Sequence, residues 1–167
     1  MNLTESFVTK FYQSININFP SELSILCIAE KLDLEVHFWN FGSAIAERKG
    51  IYKIFINNNL NARQQWQEFG HEMSHYFFDQ QDKKLMFSSF IDYRETKADY
   101  FAYHFCVPTF MLQQFKEVSV YDVMELFNVE FDFALRRLEM YQSKLITRRK
   151  WLWREDMRDT EVKTSGS

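Results

Sequence analysis

Cysteine is scarce: Cys27 and Cys106 are the only two in 167 residues, and both sit in apolar, helical-looking stretches. They read as buried thiols rather than as a bridge. Positive charge is short as well, with 20 Lys and Arg against 23 Asp and Glu and a formal net charge of −3. No global field therefore draws the chain onto nucleic acid. No apolar run approaches the ~18 residues of a membrane-spanning helix. The start, Met1-Asn2-Leu3-Thr4-Glu5, lacks the basic and uninterrupted apolar regions of a secretory signal. These absences predict a cytoplasmic protein. Core material, by contrast, is ample: 46% of residues are hydrophobic, and 18 are phenylalanine. That suffices for one compact domain and excludes disorder over most of the length.

The most informative residues are His71-Glu72-Met73-Ser74-His75, which read HExxH. Around them, from Asn61 to Asp79, Trp66, Phe69, Met73, Phe77 and Phe78 recur at three- and four-residue spacing without a proline. Four residues of helix advance about 6 Å and turn only about 40° past a full turn. His71 and His75 therefore share a face and can hold one metal ion. Glu72, one position on, can take a proton from a water that the ion activates. Gly70, directly before the first histidine, costs about 1 kcal/mol of helix propensity. We expect it to lie at a crowded site wall, where a side chain would block backbone or substrate.

A catalytic zinc site needs three protein ligands and one open position. His37, in the strand-like run Glu35-Val36-His37-Phe38-Trp39, reads as an ordinary sheet residue. Glu95 is the stronger candidate, in a second helical segment that ends before Pro108. Asp99 is four residues later and shares its face. One carboxylate could bind metal while the other accepts the free N–H of a ligating histidine, a support worth about 10- to 100-fold in affinity or activity. His104, about half a turn away from that face, is not expected to be a ligand. A competing role for Glu95 is a capping box with Asp92, which has the right spacing.

Together, Ile54-Phe55-Ile56-Asn57, His71-Glu72-x-x-His75, Glu95-x-x-Ala98-Asp99-x-Phe101-Ala102 and Pro108 resemble the ImmA/IrrE family of metallopeptidases. The resemblance covers roughly residues 20 to 140. It implies a zincin-like fold, with His71, His75 and Glu95 as metal ligands, Glu72 as general base and Asp99 as a supporting aspartate. It also implies a protein substrate, since members are associated with cleaving helix-turn-helix repressors in mobile elements, prophages and stress responses. One departure is Ser74, where members commonly carry glycine; serine is also small.

Along the chain, the pattern predicts a helix from Leu3 to Ile17 and a second from Pro20-Ser21 through Leu32, with Ser21 as N-cap. Strands follow at Glu35–Asn40, Ala44–Glu47 and Ile51–Asn57, with Lys49-Gly50 as a hairpin turn. The strand Ile51–Asn57 is the candidate edge on which an extended substrate would pair. A polar loop is expected around Gln80–Lys84. After Pro108 the chain reads as helical: Ser119 caps one helix, Asn128 ends it in a left-handed turn, and another runs from about Phe131 to Lys144. This pair resembles a helix-turn-helix. Arg136, Arg137, Lys144, Arg148, Arg149, Lys150 and Arg154 add a basic bias, read as solvated surface. Asp122, Glu125, Glu130, Asp132 and Glu139 are poor company for phosphate. Trp151 and Trp153 either close over the core or dock a partner, and Thr164-Ser165-Gly166-Ser167 reads as flexible tail.

The expectation is a mostly helical α+β, zincin-like domain over residues 1–145, with 119–144 as a helical subdomain and 146–167 as a tail. It is a zinc-dependent endopeptidase, though the imidazole and carboxylate set could also accept manganese. Two other readings stay open. One is a non-catalytic metal-containing protein that controls a repressor by binding; the other, with a weaker basis, is a DNA-binding regulator built on residues 119–144.

Overall fold

The computed structural model describes residues 2–78 and 88–164; for 88–91 and 148–164 it describes the backbone path alone. The loop expected around Gln80–Lys84, the tail residues 165–167 and the side chains of Trp151 and Trp153 lie outside the described residues. The fold is mostly helical α+β with one three-stranded sheet, as expected.

Helix α1 (Leu3–Ser14) opens with a reciprocal cap, in which Asn2 accepts from the Glu5 backbone and Glu5 accepts from the Asn2 backbone. It stops before Ile17 because Asn16 turns left-handed at φ 54, which sends Ile17 into the core fully buried. The second helix does not begin at Pro20-Ser21. Pro20–Glu22 makes a 3-10 turn, and the Glu22 carboxylate accepts from the Asn18 and Phe19 N–H groups. Helix α2 (Ile25–Lys31) starts later, because Ser24 rather than Ser21 is placed to cap the Cys27 N–H.

Strands β1 (Glu35–Trp39), β2 (Ala44–Arg48) and β3 (Ile51–Asn57) follow. Lys49 at φ 56 and Gly50 at φ 79 join β2 to β3 as the predicted hairpin turn. The order in the sheet is β1-β3-β2, with β1 parallel and β2 antiparallel to β3. This corrects the expectation for Ile51–Asn57: both edges of β3 are already paired, so no peptide can add to it. The edge strand packed along the metal-site helix is β2. Alternation along β3 buries Ile54 and Ile56 completely. Phe55 points to the other face, where it stacks on His37 at 5.3 Å.

Helices α3 (Ala62–Phe78) and α4 (Ser88–Cys106) form the most extensive helical contact. Gly70 explains how they come so close. A Cβ there would stand 2.6 Å from Cys106 Sγ, 3.4 Å from Phe105 and 3.6 Å from the Ala102 backbone. The crowding foreseen at Gly70 is real, and it comes from Cys106, Phe105 and Ala102 of α4. Phe11, Phe69, Phe77, Phe101 and Phe105 fill the space between α1, α3 and α4 with edge and stacked ring contacts. Both cysteines are free thiols, with Cys106 buried.

After the short helix α5 (Thr109–Leu112), α6 (Val120–Phe127) is capped by Ser119 and ends at Asn128 in the left-handed region, as predicted. Helix α7 runs from Phe131 to Thr164, past the predicted end at Lys144. No glycine or proline occurs between those residues to stop it. Among the described residues, no helix is long and apolar enough to cross a membrane.

Candidate metal centre

Helix α3 does for His71 and His75 what four-residue spacing requires. Their Nε2 atoms stand 3.2 Å apart and the rings meet edge to face at 5.0 Å. The close crossing at Gly70 brings α4 alongside, and with it Glu95. Its Oε2 lies 3.1 Å from His71 Nε2 and its Oε1 3.7 Å from His75 Nε2. One ligand atom from each of these three residues lies within 4.8 Å of the others. The capping-box alternative for Glu95 does not apply: α4 begins at Ser88, so Asp92 is already inside the helix, and its carbonyl accepts from Thr96.

Asp99, one turn after Glu95, places Oδ1 2.8 Å from His71 Nδ1. That contact makes Nδ1 the donor and leaves the Nε2 lone pair facing the Glu95 carboxylate and the second imidazole. Two imidazole nitrogens and a carboxylate oxygen then converge, a donor set that could hold a metal ion. Donor atoms around a tetrahedral zinc bonded at about 2.0–2.1 Å lie roughly 3.3 Å apart. The observed separations of 3.1–3.7 Å fit such an ion.

Electrostatics sets the remaining groups. Burial pushes the Glu72 carboxyl up; His75 and His71 pull it down, while Glu68 and Glu95 push it further up, and the balance is upward. Glu72 is nearly enclosed, at 7% exposure, so it is a carboxylate whose proton affinity is enhanced beside the cluster. Burial alone would lower His71. The Asp99 hydrogen bond and the charges of Glu72, Asp99 and Glu95 outweigh it and raise His71 instead. Glu95 and Asp99 are the exposed members of the cluster, with half or more of each side chain open to solvent.

The other histidines stay apart, as expected. His37 sits on the sheet face, 3.2 Å from Glu35. His104 is buried between α1, α4 and α7, and burial, then Arg137, holds its pKa down at about 3.

The family pattern of peptidase M78, the IrrE N-terminal-like domain, matches residues 29–139, well over half of the chain. The chain belongs to this family. It is thus an M78 metallopeptidase with a zincin-like domain. It is similar to the phage-like element PBSX protein XkdA of Bacillus subtilis (strain 168), 34% identical over 145 residues, covering 84% of this chain and 73% of XkdA. It is also 34% identical over 146 residues to the uncharacterized protein YqaB of the same organism, covering 84% of this chain and 85% of YqaB.

Two aspects of this M78 chain escaped the sequence reading. Arg137 and Lys144 do not belong to a solvated basic surface. Arg137 is fully buried, donating to the Tyr103 and Val107 carbonyls and to Thr109, and Lys144 pairs with the buried Glu5. A basic residue four before Tyr141 and one before Leu138, on the apolar face of α7, was the available signal. The other is Glu68, whose i+3 and i+4 neighbours are His71 and Glu72. Its place on the histidine face was legible from spacing.

Proposed function

We propose that this M78 peptidase is a zinc endopeptidase that makes a site-specific cut in a helix-turn-helix repressor of a prophage, mobile element or stress regulon. The observation that carries the reading is the convergence of His71, His75 and Glu95 on one point, with Glu72 beside it and Asp99 behind His71. Two imidazoles and one carboxylate are a zinc donor set that leaves a position open, although manganese would also be accepted. The similarity to a phage-like element protein supports the genetic setting.

In this reading His71, His75 and Glu95 hold the ion. When bound, it supplies Lewis acidity, polarising the scissile carbonyl and making water a nucleophile near neutral pH. Asp99 keeps His71 in the tautomer whose Nε2 is free to coordinate. Glu72 takes the proton of the attacking water at its carboxylate and returns it to the nitrogen of the departing amine. Its raised proton affinity suits both halves of that transfer. The backbone of β2, open along one edge and packed against α3, holds the substrate extended by main-chain pairing.

The test is to incubate zinc-loaded protein with repressors encoded beside its gene and weigh the products intact. A defined pair of fragments, absent with Glu72→Gln, supports the reading. Intact repressor under all zinc-loaded conditions, with each neighbouring repressor tried, rejects it.

A further inference from the structure

Where α7 meets α1 and α4, the seam holds buried polar groups that the metal centre does not use. Arg137 is fully buried, and His104 is 3% exposed. Arg137 Nε donates to the carbonyls of Tyr103 and Val107, which lie before and after His104 in α4. Nη2 donates to the Thr109 hydroxyl at 2.7 Å. The remaining nitrogen, Nη1, and both ring nitrogens of His104 are enclosed. Among the described residues, none of the three has a hydrogen-bond partner. Enclosed polar atoms left in this state are unfavourable, and native folds rarely keep them so.

Charge adds a second requirement. Every acceptor of Arg137 is uncharged: two carbonyls and a hydroxyl. Glu5 of α1 is foremost among the charges acting on Arg137, yet its carboxylate is bound by Lys144, the Asn2 N–H and Thr109. Glu5 and Lys144 cancel, so the Arg137 charge is left without a counter-ion in contact. His104 supplies none, because burial, and then Arg137, keeps it neutral near pH 7. Tyr100 packs its ring on His104 at 4.8 Å, again an uncharged neighbour. A buried cation in such company is costly. A water molecule would satisfy a hydrogen bond and leave the charge. An anion satisfies both.

We propose that Arg137 and His104 form a buried binding site for a small inorganic anion such as chloride, in the seam between α4 and α7. Arg137 Nη1 donates to the ion, and so does the one N–H of the neutral imidazole. Enclosure of these nitrogens excludes an organic acid whose remainder needs solvent. The bound ion ties α7 to the helix that carries Glu95 and Asp99. This site goes beyond the peptidase reading and does not depend on it. It is also coupled to protons. The ion and Glu5 favour a protonated His104, while Arg137 and Lys144 oppose it. Anion binding therefore tightens as pH falls from about 7 toward 5.

Bromide serves as the probe, because its anomalous scattering distinguishes it from water. Crystals of the full chain grown in bromide should show a bromine peak within hydrogen-bond reach of Arg137 Nη1 and one His104 nitrogen. In solution, bromide should raise the unfolding midpoint of wild type by roughly 2–4 °C over gluconate at equal ionic strength. The increment should grow at lower pH, shrink in His104→Phe and vanish in Arg137→Met. Should Arg137→Met not fold, the bromine peak and His104→Phe decide between them. A water without anomalous signal at that place overturns the site. So do equal midpoints in bromide and gluconate, or a bromide increment that His104→Phe leaves unchanged.

Discussion

The sulfur of Cys106 occupies the space that a side chain on Gly70 would need, with 2.6 Å between Sγ and the position of a Cβ. Because α4 carries Glu95, this contact also sets how near that carboxylate comes to His71 and His75. Gly70→Ala should destabilise the protein by about 1–3 kcal/mol through overpacking, less the gain of about 1 kcal/mol in helix propensity. With Cys106→Ala in the same chain the sulfur is gone, and Gly70→Ala should become neutral or stabilising. Denaturant unfolding of the four proteins of this cycle decides the matter. Additive effects would show that the two helices adjust independently.

Glu72→Gln preserves size and leaves His71, His75 and Glu95 in place. Zinc content should stay at wild-type level while turnover falls by roughly 10²–10⁴. Metal analysis beside a cleavage assay checks both halves. Unchanged cleavage would remove Glu72 from the proton transfer.

The three converging side chains should respond differently from the one behind them. His71→Ala or Glu95→Ala deletes a donor and should yield protein without stoichiometric zinc. Asp99→Ala leaves the donors but frees the His71 ring, so zinc affinity or activity should drop about 10- to 100-fold. Zinc titration against a chelating dye separates these outcomes. Full zinc retention in Glu95→Ala would mean that another group is the third donor.

Acid should weaken the fold through two buried groups. His104 is held at about 3 when folded, by burial and by Arg137, against 6.5 when free. The unfolded chain therefore binds this proton first, and stability present above pH 6.5 is lost as pH falls toward 3. For Glu5, burial works upward, but Lys144, the Asn2 backbone and Thr109 bring it to about 2 against 4.5. Its contribution is lost from pH 4.5 downward. Among the described residues neither nitrogen of His104 has a hydrogen-bond partner, so His104→Phe exchanges one buried ring for another. The difference in unfolding free energy between wild type and this variant should change by up to about 1.4 kcal/mol per pH unit between pH 6.5 and 4. A difference independent of pH would place His104 in contact with water.

Much of the molecule follows from neighbours in the chain. The pairing of His71 with His75 depends on helical pitch, the β2–β3 turn on two left-handed residues at 49 and 50, and the ends of α6 on Ser119 and Asn128. Such features involve residues within a few positions of one another, so local stereochemistry decides them. Even the helical setting of Glu95 and Asp99, and their shared face, could be read from their four-residue spacing. How near they come to the histidines could not. That depends on the small contact between Gly70 and Cys106, residues 36 positions apart. The central place of β3 likewise depends on a parallel pairing with β1 across the intervening hairpin strand, which alternation cannot disclose. The burial of Arg137 needs carbonyls at the end of α4 and the hydroxyl of Thr109 to receive it. Local pattern determined which groups face together on one helix; only packing between distant segments decided which of them meet, because that contact energy belongs to pairs that the chain's order does not bring side by side.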